Sequence, residues 1–356
     1  MIWLPDTVID RLRAVVDEPD LSGTPYQMVR LLARGGMGTV YLVHDSRLGR
    51  EVALKVLHSP DPGAVLTQRL AREARVLARL DHASIAPVYD VGTLADGRVY
   101  YTMRRVQGRQ LDDWARDTPT VPAKLRVLQK VCEAVAFAHA RGVVHRDLKP
   151  ENVMVGAFGE ALVMDWGAAK LLAAGPVSPA EGRDGAGPKE EASGSALANG
   201  ATLAGTIIGT PSYMSPEQAR GDAQLVDERT DVYALGAILH FLLAGKPPFE
   251  GASVVEILHR VQHDPPVPIR HLDRRMPRPL ESICLKALAK APADRYATAA
   301  EMAADLDRFL DGLPVLAHHE TVPQKALRVL ARHRALALLV LAYLLMRIVL
   351  LLAARR

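Results

Sequence analysis

The sequence predicts an α+β protein of two lobes: a small strand-rich lobe carrying one long helix, then a larger, mostly helical lobe, with an apolar helix at the C-terminus. Three observations predict it. Across residues 26–101, short β-branched runs alternate with turns. From Leu111 onward, apolar residues recur at three- and four-residue steps. The length, 356 residues, exceeds one ordinary domain and falls short of three.

In the small lobe, residues 29–32 and 39–43 read as strands flanking a glycine cluster, and 52–57 as a third strand. Val88 and residues 99–103 mark two more. Leu66, Leu70, Glu73, Leu77 and Leu80 fall at helical spacing between them. In the large lobe, Leu125, Leu128, Val131, Val135 and Ala138 mark a long amphipathic helix. Residues 231–243 and 280–288 mark others. Residues 1–25 form a flank in which Leu12, Val15 and Val16 suggest a small helix. Residues 173–205 are rich in Ala, Gly, Pro, Ser and Glu with almost no large apolar side chain, so they predict a disordered insertion that cannot offset its ordering entropy.

Composition narrows the function classes. The net charge is +4 and the arginines are scattered, with no clustered basic face that would imply a nucleic-acid partner. The two cysteines, Cys132 and Cys284, lie in apolar helical patterns, which points to buried thiols and a reducing compartment. The twelve histidines show no metal-ligand spacing, and His318-His319 reads as a surface pair. The N-terminus lacks a signal-peptide pattern, so the bulk of the chain is expected in the cytoplasm.

Residues 335–354 are apolar except for Tyr343 and Arg347. About 20 helical residues span a bilayer core. A central Arg347 costs about 2.5–3.5 kcal/mol, against which many leucines each return a few tenths. The expectation is a single-pass membrane helix, with an amphipathic helix lying on a membrane or a partner as the alternative. Arg328, Arg332 and Arg334, in a basic juxtamembrane linker over 313–334, would hold the preceding domain on the cytoplasmic side.

The residues that carry chemistry suit phosphoryl transfer, which asks for positioning and charge neutralisation. Ala33-Arg34-Gly35-Gly36-Met37-Gly38-Thr39-Val40 forms a glycine-rich hairpin between two strands, whose backbone N–H groups can approach phosphate oxygens. Lys55 ends Val-Ala-Leu-Lys on the next strand and needs an anionic partner, for which Glu73 is the candidate. The run His145-Arg146-Asp147-Leu148-Lys149-Pro150-Glu151-Asn152 is the strongest signal. Asp147 is suited to orient and deprotonate a hydroxyl, Lys149 to neutralise the transferred group, and Asn152 to bind a metal ion. Asp165-Trp166-Gly167 follows an apolar strand over 161–164 and offers a second metal ligand, Asp165.

These motifs, in this order, resemble the eukaryotic-like serine/threonine protein kinases of bacteria over residues 26–312. The resemblance implies a bilobal protein-kinase fold, with an N-lobe over 26–104 and a C-lobe over 105–312. It implies ATP with Mg2+, Mn2+ being the alternative ion, and proteins bearing Ser or Thr as substrates. It assigns nucleotide contacts to Leu32, Ala33, Arg34, Gly35, Gly36, Met37, Gly38, Val40, Ala53, Lys55, Met103, Arg104, Val106 and Met154. Met103 gates the adenine pocket in this reading, residues 104–106 form the hinge, and Ala53 and Met154 sandwich the ring. Lys149-Pro150-Glu151-Asn152 resembles the Ser/Thr-specific version of the loop. Glu217, in a docking segment over 209–218, is expected to pair with Arg295, and Asp231 to anchor the catalytic loop. Thr202 and Thr206 are the expected phosphate acceptors in the activation segment, with Arg146 meeting the phosphate. The resemblance also raises a homodimer.

Two residues depart from the family pattern. Ala33 replaces the first glycine of the loop, and Trp166 replaces the usual Phe. Ala33 is the one sequence feature behind the alternative reading, a pseudokinase scaffold that acts by binding. A small-molecule phosphotransferase on the same fold is disfavoured by the docking segment.

Overall fold

The structure is a computed structural model that describes residues 18–34, 38–57, 73–74, 76–117, 120–171, 211–222, 224–318, 339, 343 and 345–347. β1 (Tyr26–Arg34), β2 (Gly38–Asp45), β3 (Arg50–Leu57), β4 (Val88–Thr93) and β5 (Val99–Arg104) form one antiparallel sheet in the order β1-β2-β3-β5-β4. Side chains alternate across a strand, so β3 serves two environments. Val52, Leu54 and Val56 join Tyr26, Tyr41, Val43 and Tyr100 in a core on one face. Ala53 turns to the other face, with Tyr101, Met103, Leu77 and Leu80, and Lys55 shares that face by the same alternation. Burying each Leu or Val contributes about 1.5–3 kcal/mol, which fixes the faces and hence the direction of Lys55.

Glu73, Ala74, Val76 and Leu77 are helical and buried. The helix has given way to a turn by Ala78 and Arg79, so Leu80 packs just beyond it. Leu66 and Leu70 lie outside the described residues. The end of the N-terminal flank packs on the small lobe: Leu21 is buried against the sheet, and Arg98 Nη2 donates to the Glu18 carbonyl at 3.4 Å. The small helix expected around Leu12 lies outside the described residues.

The large lobe opens with β6 (Arg109–Gln110), α1 (Leu111–Asp117) and α2 (Val121–His139). The strands β7 (Val143–Val144), β8 (Val153–Val155), β9 (Ala161–Val163) and β10 (Lys170–Leu171) follow. They pair as β6-β8-β9 and β10-β7, beneath the small lobe. Then come α3 (Pro216–Arg220), α4 (Glu228–Ala244), α5 (Val254–His263), α6 (Ile269–Leu272), α7 (Arg278–Ala287) and α8 (Ala299–Leu310). The predicted helices over 231–243 and 280–288 are thus α4 and α7, extended at their starts by Asp227 and Pro277 at the N-cap positions. α4 is buried on all sides from Thr230 to His240 and is the central helix, with Val232, Leu235, Ile238 and Leu239 fully buried. Gly236 lets α7 approach: a Cβ there would come within 2.7 Å of the Ala287 Cβ. Cys132 and Cys284 are free and buried, and burial pushes both thiols well up.

After α8 the chain stays docked. Buried Asp305 accepts from the Tyr296 hydroxyl at 2.9 Å and from the N–H groups of Leu316 and Ala317 at 2.8 and 2.9 Å. The linker expected from residue 313 therefore begins packed on the C-lobe, with Val315 buried and His318 Nδ1 at 2.9 Å from the Ser282 hydroxyl. Within 335–354, Leu339, Tyr343, Leu345, Met346 and Arg347 are helical and exposed. Among the described residues, no helix is long and apolar enough to cross a membrane. The insertion expected over 173–205, and Thr202 and Thr206, lie outside the described residues.

Candidate active site

The face of the small sheet that bears Ala53 and Lys55 belongs to an apolar cluster that continues into the large lobe through Val153, Val163 and Trp166. The strand register sets its parts: Ala53 pairs with Met103, Lys55 with Val40 on one side and Tyr101 on the other. Leu32 and Val40 are half-buried and pack on the same apolar cluster as Ala53 and Met103. Arg104 is exposed at the end of β5 and Val106 half-buried just after it, where Arg105 pairs with Glu51 of β3. Met154 is half-buried on β8, in register with Gln110 and Leu162. Gly38 is buried at the start of β2, and Arg34 is exposed at the end of β1. Gly35, Gly36 and Met37, at the tip of the hairpin, lie outside the described residues.

Ala33 lies within β1, opposite Val40, rather than in the loop tip. The only non-glycine residues with positive φ among those described are Arg146 and Asp165, so Ala33 keeps an ordinary extended backbone and its exposed methyl strains nothing. That removes the sequence support for a binding-only scaffold.

Lys55 Nζ donates to both oxygens of Glu73, at 2.8 and 3.0 Å, and lies 3.7 Å from Asp165 Oδ1. Burial alone would lower the Lys55 pKa, but the charges of Glu73 and Asp165 outweigh it and hold the ammonium above its ordinary value. The Tyr101 hydroxyl also donates to Glu73 Oε1, at 2.9 Å.

The segment His145 to Asn152 folds around Asp147. Lys149 Nζ donates to Asp147 Oδ2 at 2.8 Å, and Asn152 Nδ2 donates to the same oxygen at 3.0 Å and to the Asp147 carbonyl at 2.7 Å. Asp147 keeps a third of its side-chain surface in solvent, so its other oxygen can be reached. Asp231, buried on α4, pins the loop from below. Its Oδ2 accepts from the His145 N–H and its Oδ1 from the Arg146 N–H, both at 2.8 Å. Burial would raise the Asp231 pKa, but the His139 ring at 2.8 Å and these N–H donors hold it below its ordinary value. Arg146 takes the left-handed conformation, φ 72°. His145 Nε2 donates to the Met164 carbonyl at 2.9 Å while Nδ1 accepts from the Asp147 N–H at 3.3 Å, which assigns the ring proton to Nε2.

The Met164 N–H donates to the Asn152 backbone carbonyl at 2.8 Å, which ties Asn152 to the residue that precedes Asp165. Asp165 is half-exposed and left-handed, φ 57°. Trp166 is fully buried, packs at a tilt against His145 with ring centroids 4.6 Å apart, and donates from Nε1 to the Val163 carbonyl at 3.3 Å. The larger aromatic joins the apolar cluster that also holds Ala74 and Leu77.

The docking segment is tied in from the other side. Glu217 and Arg295 form a two-pronged pair, both bonds 2.8 Å and both side chains fully buried, and the Thr230 hydroxyl donates to Glu217 Oε1 at 2.9 Å. The pairing implied by the resemblance is thus present, as is the anchoring of the loop by Asp231.

A profile of the protein kinase domain matches residues 26–306. The chain belongs to the protein kinase family. Serine/threonine-protein kinase PknB of Mycobacterium tuberculosis is 39% identical over 297 residues, covering 81% of this kinase and 43% of that protein. Serine/threonine-protein kinase PknD of Chlamydia trachomatis is 36% identical over 304 residues, covering 81% of this kinase and 32% of that protein. Both relatives are bacterial proteins named as serine/threonine-protein kinases, and the chain spans less than half of their length. The crystal structure of the Mycobacterium tuberculosis PknI kinase domain superposes with a TM-score of 0.57 at 29% identity, covering 80% of this chain and 96% of that one.

The family implies ATP and a divalent metal ion, and the residues present fit such an ion. Asp165 offers a half-exposed carboxylate. Asn152 spends its Nδ2 on Asp147, which leaves its side-chain Oδ1 as an oxygen donor. Two hard oxygen donors suit a small divalent cation that keeps waters and phosphate oxygens in its remaining positions.

Tyr101 and Gln218 were not singled out by the motifs. Gln218 Nε2 donates to the Arg146 carbonyl at 2.6 Å. The signal for Tyr101 was present: it lies two residues before Met103 on a strand, and hence on the same face. Gln218 had a local signal, Ser215 three residues earlier in a capping box, but nothing that pointed to Arg146.

Proposed function

We propose that this domain transfers the γ-phosphoryl group of ATP to serine or threonine hydroxyls of proteins in bacterial signalling, with Mg2+ as the ion and Mn2+ able to use the same oxygen donors. The observation that carries the reading is the state of Asp147: Lys149 and Asn152 both bond to Oδ2, which leaves Oδ1 to accept the hydroxyl proton. Asp147 orients the attacking oxygen and takes its proton as the bond to phosphorus forms. Lys149 neutralises charge on the transferred group. Lys55, steadied by Glu73, holds the α- and β-phosphates. Leu32, Ala33, Arg34, Gly35, Gly36, Met37, Gly38 and Val40 cover the nucleotide, Ala53 and Met154 enclose its ring, and Met103, Arg104 and Val106 line the hinge. Asn152 and Asp165 would hold the cation, which would supply charge neutralisation when bound. Transfer within the activation segment, to Thr202 or Thr206, would give Arg146 a phosphate to bind.

The decisive experiment is metal-dependent transfer of labelled phosphate from ATP to a generic protein substrate, followed by phosphoamino-acid analysis. Label on serine or threonine is expected. ATP binding with no transfer, or label confined to tyrosine, overturns the reading.

We also infer a membrane tether. The apolar run 335–354 and the arginines before it support a single span with the kinase domain in the cytoplasm. Release of the chain from membranes by alkaline carbonate would refute an integral span and favour a surface-lying helix.

A further inference from the structure

Tyr101 on β5 stands directly opposite Lys55 on β3, so both side chains emerge on the face that carries the site. Glu73 Oε1 receives the Tyr101 hydroxyl at 2.9 Å and Lys55 Nζ at 2.8 Å. The Glu73 side chain is only 2% exposed, so a lone pair left unmet there would carry a desolvation penalty. Burial first, and then the Glu73 charge, push the Tyr101 hydroxyl well above its ordinary pKa of 10, which keeps it a protonated donor at neutral pH.

Lys55 has a second carboxylate within reach, Asp165 Oδ1 at 3.7 Å. An ammonium between two carboxylates can settle on either. Among these three groups, the tyrosine hydroxyl bonds only to Glu73. Its bond exists only while the helix bearing Glu73 is docked on the sheet, so it stabilises the docked arrangement and not the alternative.

Resting on the phosphoryl-transfer reading, we propose that Tyr101 is a positioning residue that keeps Glu73 docked, so that Lys55 is aligned for the nucleotide phosphates before nucleotide binds. A binding-competent state that is only partly populated weakens apparent affinity by that fraction. Tyr101 therefore sets nucleotide affinity more than the chemical step.

Tyr101→Phe isolates the hydroxyl, because the ring, centred 5.8 Å from Lys55 Nζ, is retained. The measurement is the Kd of the full chain for ATP with Mg2+, with kcat at saturating ATP and Tm alongside. Loss of one bond to a buried charge should weaken Kd about tenfold and leave kcat within about twofold. In a Glu73→Ala background, where Lys55 still has Asp165, the same substitution should change Kd by less than about twofold, since the acceptor is gone. Tyr101→Phe with the parent's Kd overturns the proposal. So does a loss of affinity that is undiminished in the Glu73→Ala background, or a fall in Tm with unchanged Kd. Should the parent chain bind ATP without transferring phosphate, the proposed function falls while the Kd comparison still decides the role of Tyr101.

Discussion

Gln218 donates from its side-chain amide to the carbonyl oxygen of Arg146 at 2.6 Å, while its Oε1 accepts from the Ser215 N–H at 3.1 Å. One side chain thus caps α3 and holds the peptide that precedes Asp147. That peptide needs holding. Arg146 is left-handed, a conformation worth about 1–3 kcal/mol of strain in a residue other than glycine. Asp231 holds its N–H and Gln218 its C=O. Gln218→Glu would set a carboxylate oxygen against the carbonyl, and Gln218→Met would keep the shape and lose the bond. Both should lower kcat about tenfold, equivalent to about 1.4 kcal/mol, with the Glu variant the worse. Steady-state kinetics on a peptide substrate checks this.

Asp147→Asn keeps the side chain's shape and removes the proton acceptor. Transfer should fall by about 10²–10⁴-fold, the usual worth of a general base, while ATP affinity stays within about twofold. Quenched-flow transfer and a fluorescence titration measure the two quantities separately. A variant that transfers at the parent rate would remove Asp147 from the role.

Arg295→Met leaves Glu217 as an uncompensated buried charge. Breaking such a pair costs about 3–5 kcal/mol, which corresponds to a fall in Tm on the order of 10 °C for a domain of this size. The same pair sets a pH dependence. Burial would raise the Glu217 pKa, but the bonds and charge of Arg295, with the Thr230 hydroxyl, hold it below its ordinary 4.5. A depressed carboxylate pKa adds stability above the unfolded value, and that stability is lost as pH falls below about 4.5 through the folded value. The double variant Glu217→Gln with Arg295→Met should lose part of this acid limb in denaturant titrations run from pH 7 downwards.

Gly236→Ala sets two effects against each other. Alanine favours a helix by about 1 kcal/mol over glycine. The added Cβ, however, would meet the Ala287 Cβ at 2.7 Å, and both atoms are fixed to helix backbones. Overpacking of this kind costs about 1–3 kcal/mol, so the net effect should be destabilising, read as a lower denaturant midpoint with little change in ATP affinity.

Much of the site was legible along the chain because it is local. Asp147, Lys149 and Asn152 share one loop, so the chain lists them together, although their meeting at one carboxylate appears only in the structure. The strand carrying Lys55 was legible as well, and its alternation sets Lys55 on the face of Ala53. The significance of Ala33 was not legible. Its position in the glycine motif implied a loop residue, whereas the ladder extends through Arg34 and puts it in β1, where a methyl is harmless. The end of the helix bearing Glu73 was read too far, because Leu80 keeps the apolar period although the backbone has already turned.

What the sequence by itself determined is the chemistry's inventory and the local direction of its parts: strand or helix, inward or outward, base, lysine and metal ligands. What only the tertiary structure decided is which distant partner holds each part still. Tyr101 meets Glu73 across 28 residues, and Gln218 meets Arg146 across 72. Those meetings depend on the register between β3 and β5 and on where α3 docks against the catalytic loop. Registers and docking are set by burial summed over whole faces, and no local period in the chain records that sum.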